Sequence, residues 1–245
     1  MHIDVHLTPD LAGEQGLREK LVVAIDVLRA STTIITALCN GARGIIPSAS
    51  VEAAVKLAGN LDSGQTLLGG ERQGKLIEGF HLGNSPREYT AERVKAKTIV
   101  FTTTNGSQAI LRGRNAREVC VCGFVNLSTV VAHILASGLD TAIVCAGREG
   151  GFSMEDTVCA GRLAAAVSAH TTVSLSDSAR ASVVLHRTLG DPVPRMLERT
   201  EHGRYLESIG LGDDLGICAG VDTVPVLPVY EGNIVQLKKA AAQLP

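Results

Sequence analysis

Apolar positions along the chain gather into short runs separated by polar, glycine-containing stretches. KLVVAID (20–26), KTIVFTTT (97–104), REVCVCGF (117–124) and DTAIVCAG (140–147) are rich in β-branched residues and end in small or polar ones. Continuous apolar runs of that length predict strands buried on both faces. Helical spacing appears between them. A helix is predicted over 32–39, stopped by Asn40-Gly41, and another over 50–61 with Ser50 as its cap. A third is predicted over 126–137, capped by Asn126 and stopped by Gly138. Strands alternating with helices of this length predict an α/β fold, a layered α/β/α arrangement with a largely parallel or mixed sheet.

After Gly147 the pattern changes. Residues 153–170 predict a helix with Glu155 and Asp156 in its first turn, where the macrodipole favours acids. A further helix is predicted over 176–189, then a break at Pro192 and Pro194. One polar helix is expected over 195–209. The segment 221–239 reads as one or two short strands, placed at a sheet edge by their prolines, and the chain should fray from Lys238 onward. The whole forms a single unit over 1–245, or two intertwined subdomains near 1–95 and 96–245. The chain also carries an internal echo, either a structural duplication or the pattern that βαβ units share without one. VVAID…TTIITALCNGARGII and TIVFT…GSQAILRGRNAREVCVC each run strand, polar loop, short helix, turn, Ala-Arg and strand, with Asp26 opposite Thr102.

Composition narrows the function classes. With four Phe, three Tyr, no Trp and a formal net charge of -2, the chain has neither stacking platforms nor a basic stripe for nucleic acid. No apolar run approaches a membrane span, and MHIDVHLTPD lacks the basic and apolar regions of a secretory signal. The expectation is a cytoplasmic protein. The six cysteines fit no metal pattern, so buried reduced thiols are expected, with Cys120 and Cys122 on one strand face. For assembly, the expectation is the general one that small α/β enzymes form symmetric homodimers.

The chemistry sits in the loops. Asp26 ends an apolar strand, where α/β proteins usually bind ligands. Arg29, Ser31, Thr32 and Thr33 then offer a guanidinium, hydroxyls and helix-start N–H groups to an anion, or they only close a turn. TTTNGS has the same placement, with Thr103, Thr104, Asn105 and Gly106 as anion-binding candidates. It lacks the lysine of a phosphate-binding Walker loop. Glu71 and Arg72 follow two glycines, and Asn84 and Ser85 precede Pro86. Glu71 with a nearby Asp could bind a hard divalent cation through oxygen. Of Glu155 and Asp156, which do not share a helix face, one could meet a metal or ligand while the other caps. His133 and His202 are isolated and read as packed or surface histidines. If these loops converge at one end of the sheet, cation-assisted phosphoryl transfer to water is the chemistry they suit.

These blocks carry a resemblance. AIDVLRASTTI (24–34), GGER (69–72), GNSP (83–86), TTTNGS (102–107), CAG (145–147), MEDTVCAG (154–161) and HGRYLESIGLGDDL (202–215) resemble the 2-phosphosulfolactate phosphatase family over nearly the whole chain. The resemblance implies a Mg2+-dependent phosphatase, acting on (2R)-2-phospho-3-sulfolactate to give 3-sulfolactate and phosphate in coenzyme M biosynthesis. It also implies a family-specific α/β fold. Haloacid dehalogenase phosphatases differ in their DxDx(T/V) start, whereas Asp26 here is followed by Val27 and Leu28. Under the resemblance, Asp26, Arg29 and Glu71 are catalytic. Asp26 and Glu71 hold magnesium, with Glu155 and Asp156 as further ligands. Arg29, Ser31, Thr32, Asn84, Ser85 and residues 103–106 grip phosphate or the substrate carboxylate, and Arg72 and Arg148 take the second anion. Asp26 is equally placed to be nucleophile, general base or metal ligand. The alternatives are another small phosphorylated hydroxy acid as substrate, or a non-catalytic anion-binding protein.

Overall fold

The computed structural model describes residues 1–238. Its strands are β1 (His2–His6), β2 (Leu21–Ile25), β3 (Gly44–Pro47), β4 (Thr66–Arg72), β5 (Lys75–Leu76), β6 (Thr98–Thr102), β7 (Glu118–Cys122), β8 (Thr141–Cys145), β9 (Ser174–Leu175), β10 (Pro228–Glu231) and β11 (Ile234–Leu237). Helices α1 (Glu14–Leu17), α2 (Ala30–Cys39), α3 (Val51–Gly59), α4 (Ala91–Val94), α5 (Gly106–Arg112) and α6 (Leu127–Ser137) occupy the first part of the chain. They are followed by α7 (Met154–His170), α8 (Asp177–Leu189), α9 (Val193–Arg199), α10 (Glu201–Ser208) and α11 (Asp213–Cys218).

The alternation of side chains along β2 explains the layering. All five residues of the strand are buried. Leu21, Val23 and Ile25 face the core packed by α6 and α7, whereas Val22 and Ala24 face the core built on α2 and α5. β6 divides the same way, with Ile99 and Phe101 toward α2 and α5 and Val100 toward Ala54 of α3. Helices therefore cover both faces of a mixed sheet. Cys120 and Cys122 share one face and, like the other cysteines, are free thiols, but Cys39, at the end of α2, is exposed rather than buried as expected.

Among the described residues the eleven strands form one sheet in the order β5-β4-β6-β3-β11-β10-β7-β2-β8-β1-β9. β4, β6 and β3 are parallel, as are β7, β2, β8, β1 and β9. The hairpin β10–β11 joins the two groups by antiparallel pairings, Val229 with Cys120 and Val235 with Ile45. Three successive antiparallel steps make the two half-sheets run in opposite directions. This corrects two expectations. The C-terminal strands lie in the middle of the sheet rather than at an edge, because Pro228 occupies only the first position of its strand. Nor do the site loops share one end of a parallel sheet.

The internal echo has a geometric counterpart. The units β2–α2–β3 and β6–α5–β7 exchange their second strands, so β3 pairs with β6 and β7 with β2. The Asp26 amide donates to Ser31 Oγ at 2.9 Å and the Thr103 amide to Ser107 Oγ at 3.1 Å. By this tie Asp26 matches Thr103, one residue later than the sequence overlay.

Other differences are local. The helix expected over 195–209 is two helices, α9 and α10, separated at Thr200, whose Oγ1 accepts the Gly203 amide at 2.9 Å. The prolines start α9 instead of only interrupting the chain, as suits the first helical turn. Asn126 does not cap α6 with its side chain. Its Oδ1 accepts from Gly123 and its Nδ2 donates to the Val121 and Val226 carbonyls. Fraying was expected from Lys238. Lys238 itself donates to Glu118, and the rest of that segment lies outside the described residues. No helix among the described residues is long and apolar enough to cross a membrane.

Candidate active site

The tips of β2 and β8 from one half-sheet meet those of β4 and β6 from the other. Gly106, at the start of α5, is the point of contact. A Cβ added there would lie 2.5 Å from Asp26 Oδ2 and 2.4 Å from Ala30 Cβ. Only glycine lets the N-termini of α2 and α5 approach this closely. Gly106→Ala is expected to lower activity by displacing Asp26 and to destabilise by about 1–3 kcal/mol. A denaturant midpoint unchanged from wild type would show that this approach is looser than described.

Asp26 is 7% exposed and immediately follows β2. Its Oδ1 accepts the Ala30 amide at 3.2 Å, and the residue lines a cavity of about 290 Å³. Burial pushes its carboxyl up to about 6, the Glu71 and Glu155 carboxylates add to the rise, and His202 and the Ala30 amide oppose it.

Glu71 reaches the same cavity from the tip of β4. Gly70, at φ +132°, lets β4 approach β6 so closely that a Cβ would stand 1.8 Å from the Thr102 carbonyl oxygen. The approach brings Glu71 Oε1 to the Thr104 amide at 2.8 Å, while Oε2 accepts the Gly74 amide at 2.6 Å. Arg72 points elsewhere, as the next residue of a strand must. It donates to the Glu71 carbonyl and to Thr102 Oγ1, and does not line the cavity.

Arg29 is buried and its fork is engaged. Nη1 donates to Asp214 Oδ2 at 2.6 Å and Nη2 to the Gly74 carbonyl at 2.9 Å. Ser85 Oγ donates to the other oxygen of Asp214 at 2.6 Å, so Ser85 acts through this network. Ser31, Thr32 and Thr103 spend their hydroxyls on loop backbone. Asn84, Thr104, Asn105 and Arg148 line the cavity. Asn84 is 5% exposed, and its buried Oδ1 has no hydrogen-bond partner among the described residues.

The paired acids of α7 divide their work. Asp156 bridges the two loops of its half-sheet, accepting the Val27 amide at 2.8 Å and the Gly147 amide at 3.1 Å. Burial raises its carboxyl well above the usual range, helped by Asp26 and Glu155. Glu155 lies 3.2 Å from His202 Nδ1. His133, as expected, is not part of the site and pairs with Glu118 at 3.0 Å.

His202, read from sequence as an isolated histidine, lines the cavity. Tyr205, Gln73 and Glu149 are further lining residues, and Asp214 a supporting one, that sequence reasoning missed. Only the i, i+3 spacing of His202 and Tyr205 on a polar helix could have marked α10 as presenting one face to a ligand.

Among the described residues no three His, Cys, Asp or Glu side chains converge tightly enough to enclose a metal alone. Asp26 and Glu71 nevertheless fit magnesium, which typically takes one or two carboxylates and completes its shell with water and substrate phosphate. The Asn84 oxygen, without a hydrogen-bond partner among the described residues, would add a neutral ligand of the right hardness.

The model of the family described as 2-phosphosulpholactate phosphatase matches residues 6–233. A relative in Caldanaerobacter subterraneus subsp. tengcongensis, named probable 2-phosphosulfolactate phosphatase, is 40% identical over 236 residues, 96% of this chain and 98% of the relative. Proteins of the same name in Symbiobacterium thermophilum and Gloeobacter violaceus are 42% and 41% identical, covering 91% and 93% of this chain and 97% and 94% of their own.

Proposed function

The chain belongs to the 2-phosphosulfolactate phosphatase family, and on that premise we propose that it hydrolyses (2R)-2-phospho-3-sulfolactate, with Mg2+, to 3-sulfolactate and phosphate. The observation carrying this reading is the meeting of Asp26 and Glu71, from opposed half-sheets, at one cavity that also holds the Asn84 amide. Three further features support it. The cavity is small, burial with help from the Glu71 and Glu155 carboxylates raises the Asp26 carboxyl, and Arg148 adds a positive wall for an anionic substrate.

In this reading Asp26, Glu71 and Asn84 hold magnesium, which when bound offsets the charge of the phosphoryl oxygens. The chain itself positions the reactants, the main demand of a loose phosphoryl-transfer transition state. Thr104 and Asn105 hold the phosphate. Water forms the new P–O bond as the bond to the lactate oxygen breaks. His202, its Nδ1 held by Glu155, gives the proton on Nε2 to the departing alkoxide. The water's protons leave on dihydrogen phosphate, which returns one to His202 through solvent.

Phosphate release from phosphosulfolactate, 2-phospholactate and phosphoglycerate tests the assignment. The expected result is release from phosphosulfolactate in preference to the others, lost on chelation and restored by MgCl2. Full activity in chelator, or no release from any of the three, would overturn it. His202→Gln is expected to lower kcat by about 10²-fold or more with KM little changed. An unchanged kcat would mean that the leaving group is protonated elsewhere.

A further inference from the structure

The cavity carries one guanidinium whose fork is not consumed by the protein. Arg29 is held by Asp214 and Gly74, and Arg72 faces away. Among the described residues Arg148 has only the exposed Glu201 carboxylate near Nη1, at 3.7 Å. Its placement is nonetheless fixed. The Arg148 amide donates to the Gly151 carbonyl at 3.0 Å, the Gly151 amide returns a bond at 2.8 Å, and the Glu149 amide ties the loop to Asn105 Oδ1 at 3.1 Å. The guanidinium carbon stands 5.2 Å from the centre of the Tyr205 ring, and Tyr205 Oη is anchored on the Gln73 carbonyl at 2.9 Å. A guanidinium held near an aromatic face by a cation–π contact spends none of its N–H donors on that contact. Arg148 and His202 also wall a neighbouring cavity of about 440 Å³, to which Arg199 and Arg204 contribute further positive charge and Glu155 and Glu201 negative charge.

We infer that Arg148, braced by Tyr205, is the residue that selects the second anionic group of the substrate, a carboxylate or sulfonate on the carbon skeleton. It thereby restricts the site to phosphomonoesters carrying such a group. The inference rests on the phosphatase reading above. Lysine would keep the charge without the fork, and methionine would keep the stem alone.

Steady-state kinetics of wild type, Arg148→Lys and Arg148→Met on phosphosulfolactate, 2-phospholactate and glycerol 2-phosphate test it. Arg148→Met is expected to raise KM for substrates bearing the recognised anion by ~10- to 100-fold, the worth of a charge-assisted pair. For glycerol 2-phosphate the rise in KM should be several-fold smaller, and lysine should restore part of the loss. A penalty confined to phosphosulfolactate identifies the sulfonate, and one shared with phospholactate the carboxylate. Equal penalties on all three, or none, overturn the inference. Calorimetric binding of 3-sulfolactate to the same proteins does not depend on turnover. Weaker binding by Arg148→Met in a protein with no phosphatase activity would sink the reaction and keep the anion site. Equal binding by wild type and Arg148→Met would sink the anion site.

Discussion

Asp26→Asn is expected to abolish turnover and to stabilise the metal-free protein at neutral pH. Activity should fall by about 10²- to 10⁴-fold, because the carboxylate at the meeting point of the two half-sheets is lost. The stability gain follows from linkage. A carboxyl whose folded pKa is raised to about 6 from an ordinary 3.8 favours the fold fully only below the unfolded value. That contribution is lost as pH rises through 6, because the folded state must then hold a buried charge. At pH 7.5 the penalty is on the order of 2–3 kcal/mol. An amide in its place still accepts from the Ala30 amide but carries no charge. Thermal melts in chelator should therefore place Asp26→Asn above wild type at pH 7.5, with the difference shrinking towards pH 4. Adding MgCl2 should raise wild type more than the variant, since only the protein that binds the ion gains by mass action. A variant less stable than wild type at pH 7.5 would show that Asp26 serves the fold through its charge.

The second large effect is expected at Asp214. Its two oxygens hold Arg29 and Ser85, both at 2.6 Å, with the Arg29 and Asp214 side chains each 2% exposed. Asp214→Ala leaves a buried guanidinium without its counter-charge, which costs about 3–5 kcal/mol. The pair itself contributes far less than that, since removing both charges spares the desolvation of each. Arg29→Met with Asp214→Leu should thus recover much of the stability that the single change loses. Urea denaturation of the two singles and the double measures this. Additive losses would show that the two groups act independently. Activity should fall in Asp214→Ala even where it folds, because a released Arg29 swings within the cavity it lines.

The sequence made half of this site readable. Asp26 and Glu71 stand at the ends of apolar strands, next to loops rich in glycine and hydroxyl residues, and strand tips are where α/β folds place ligands. Arg72 misled because adjacency in sequence suggests adjacency in space, while a strand sends neighbours to opposite faces. Ser31, Thr103 and Ser85 have the composition of an anion cradle, yet their hydroxyls hold the loops together. His202 and Asp214 were illegible for a different reason. Asp214, on α11, lies more than a hundred residues from Arg29 and Ser85, and His202, on α10, as far from Asp26 and Glu71, and nothing in a lone histidine or a first-turn aspartate states which cleft it will face. The layered α/β class followed from the alternation of apolar runs and helical spacing. The opposed direction of the half-sheets did not, since it is set by a hairpin whose prolines read as an edge.

That hairpin also bears on synthesis. β10 and β11 are the last strands of the described chain, yet they are the seam between the half-sheets, and Asp26 and Glu71 belong to different sides of it. A nascent polypeptide halted before residue 228 would hold two strand groups with facing unpaired edges. The ribosome must deliver the chain through Leu237 before the carboxylates can be locked opposite each other, so fragments ending earlier should be inert and prone to stick to one another.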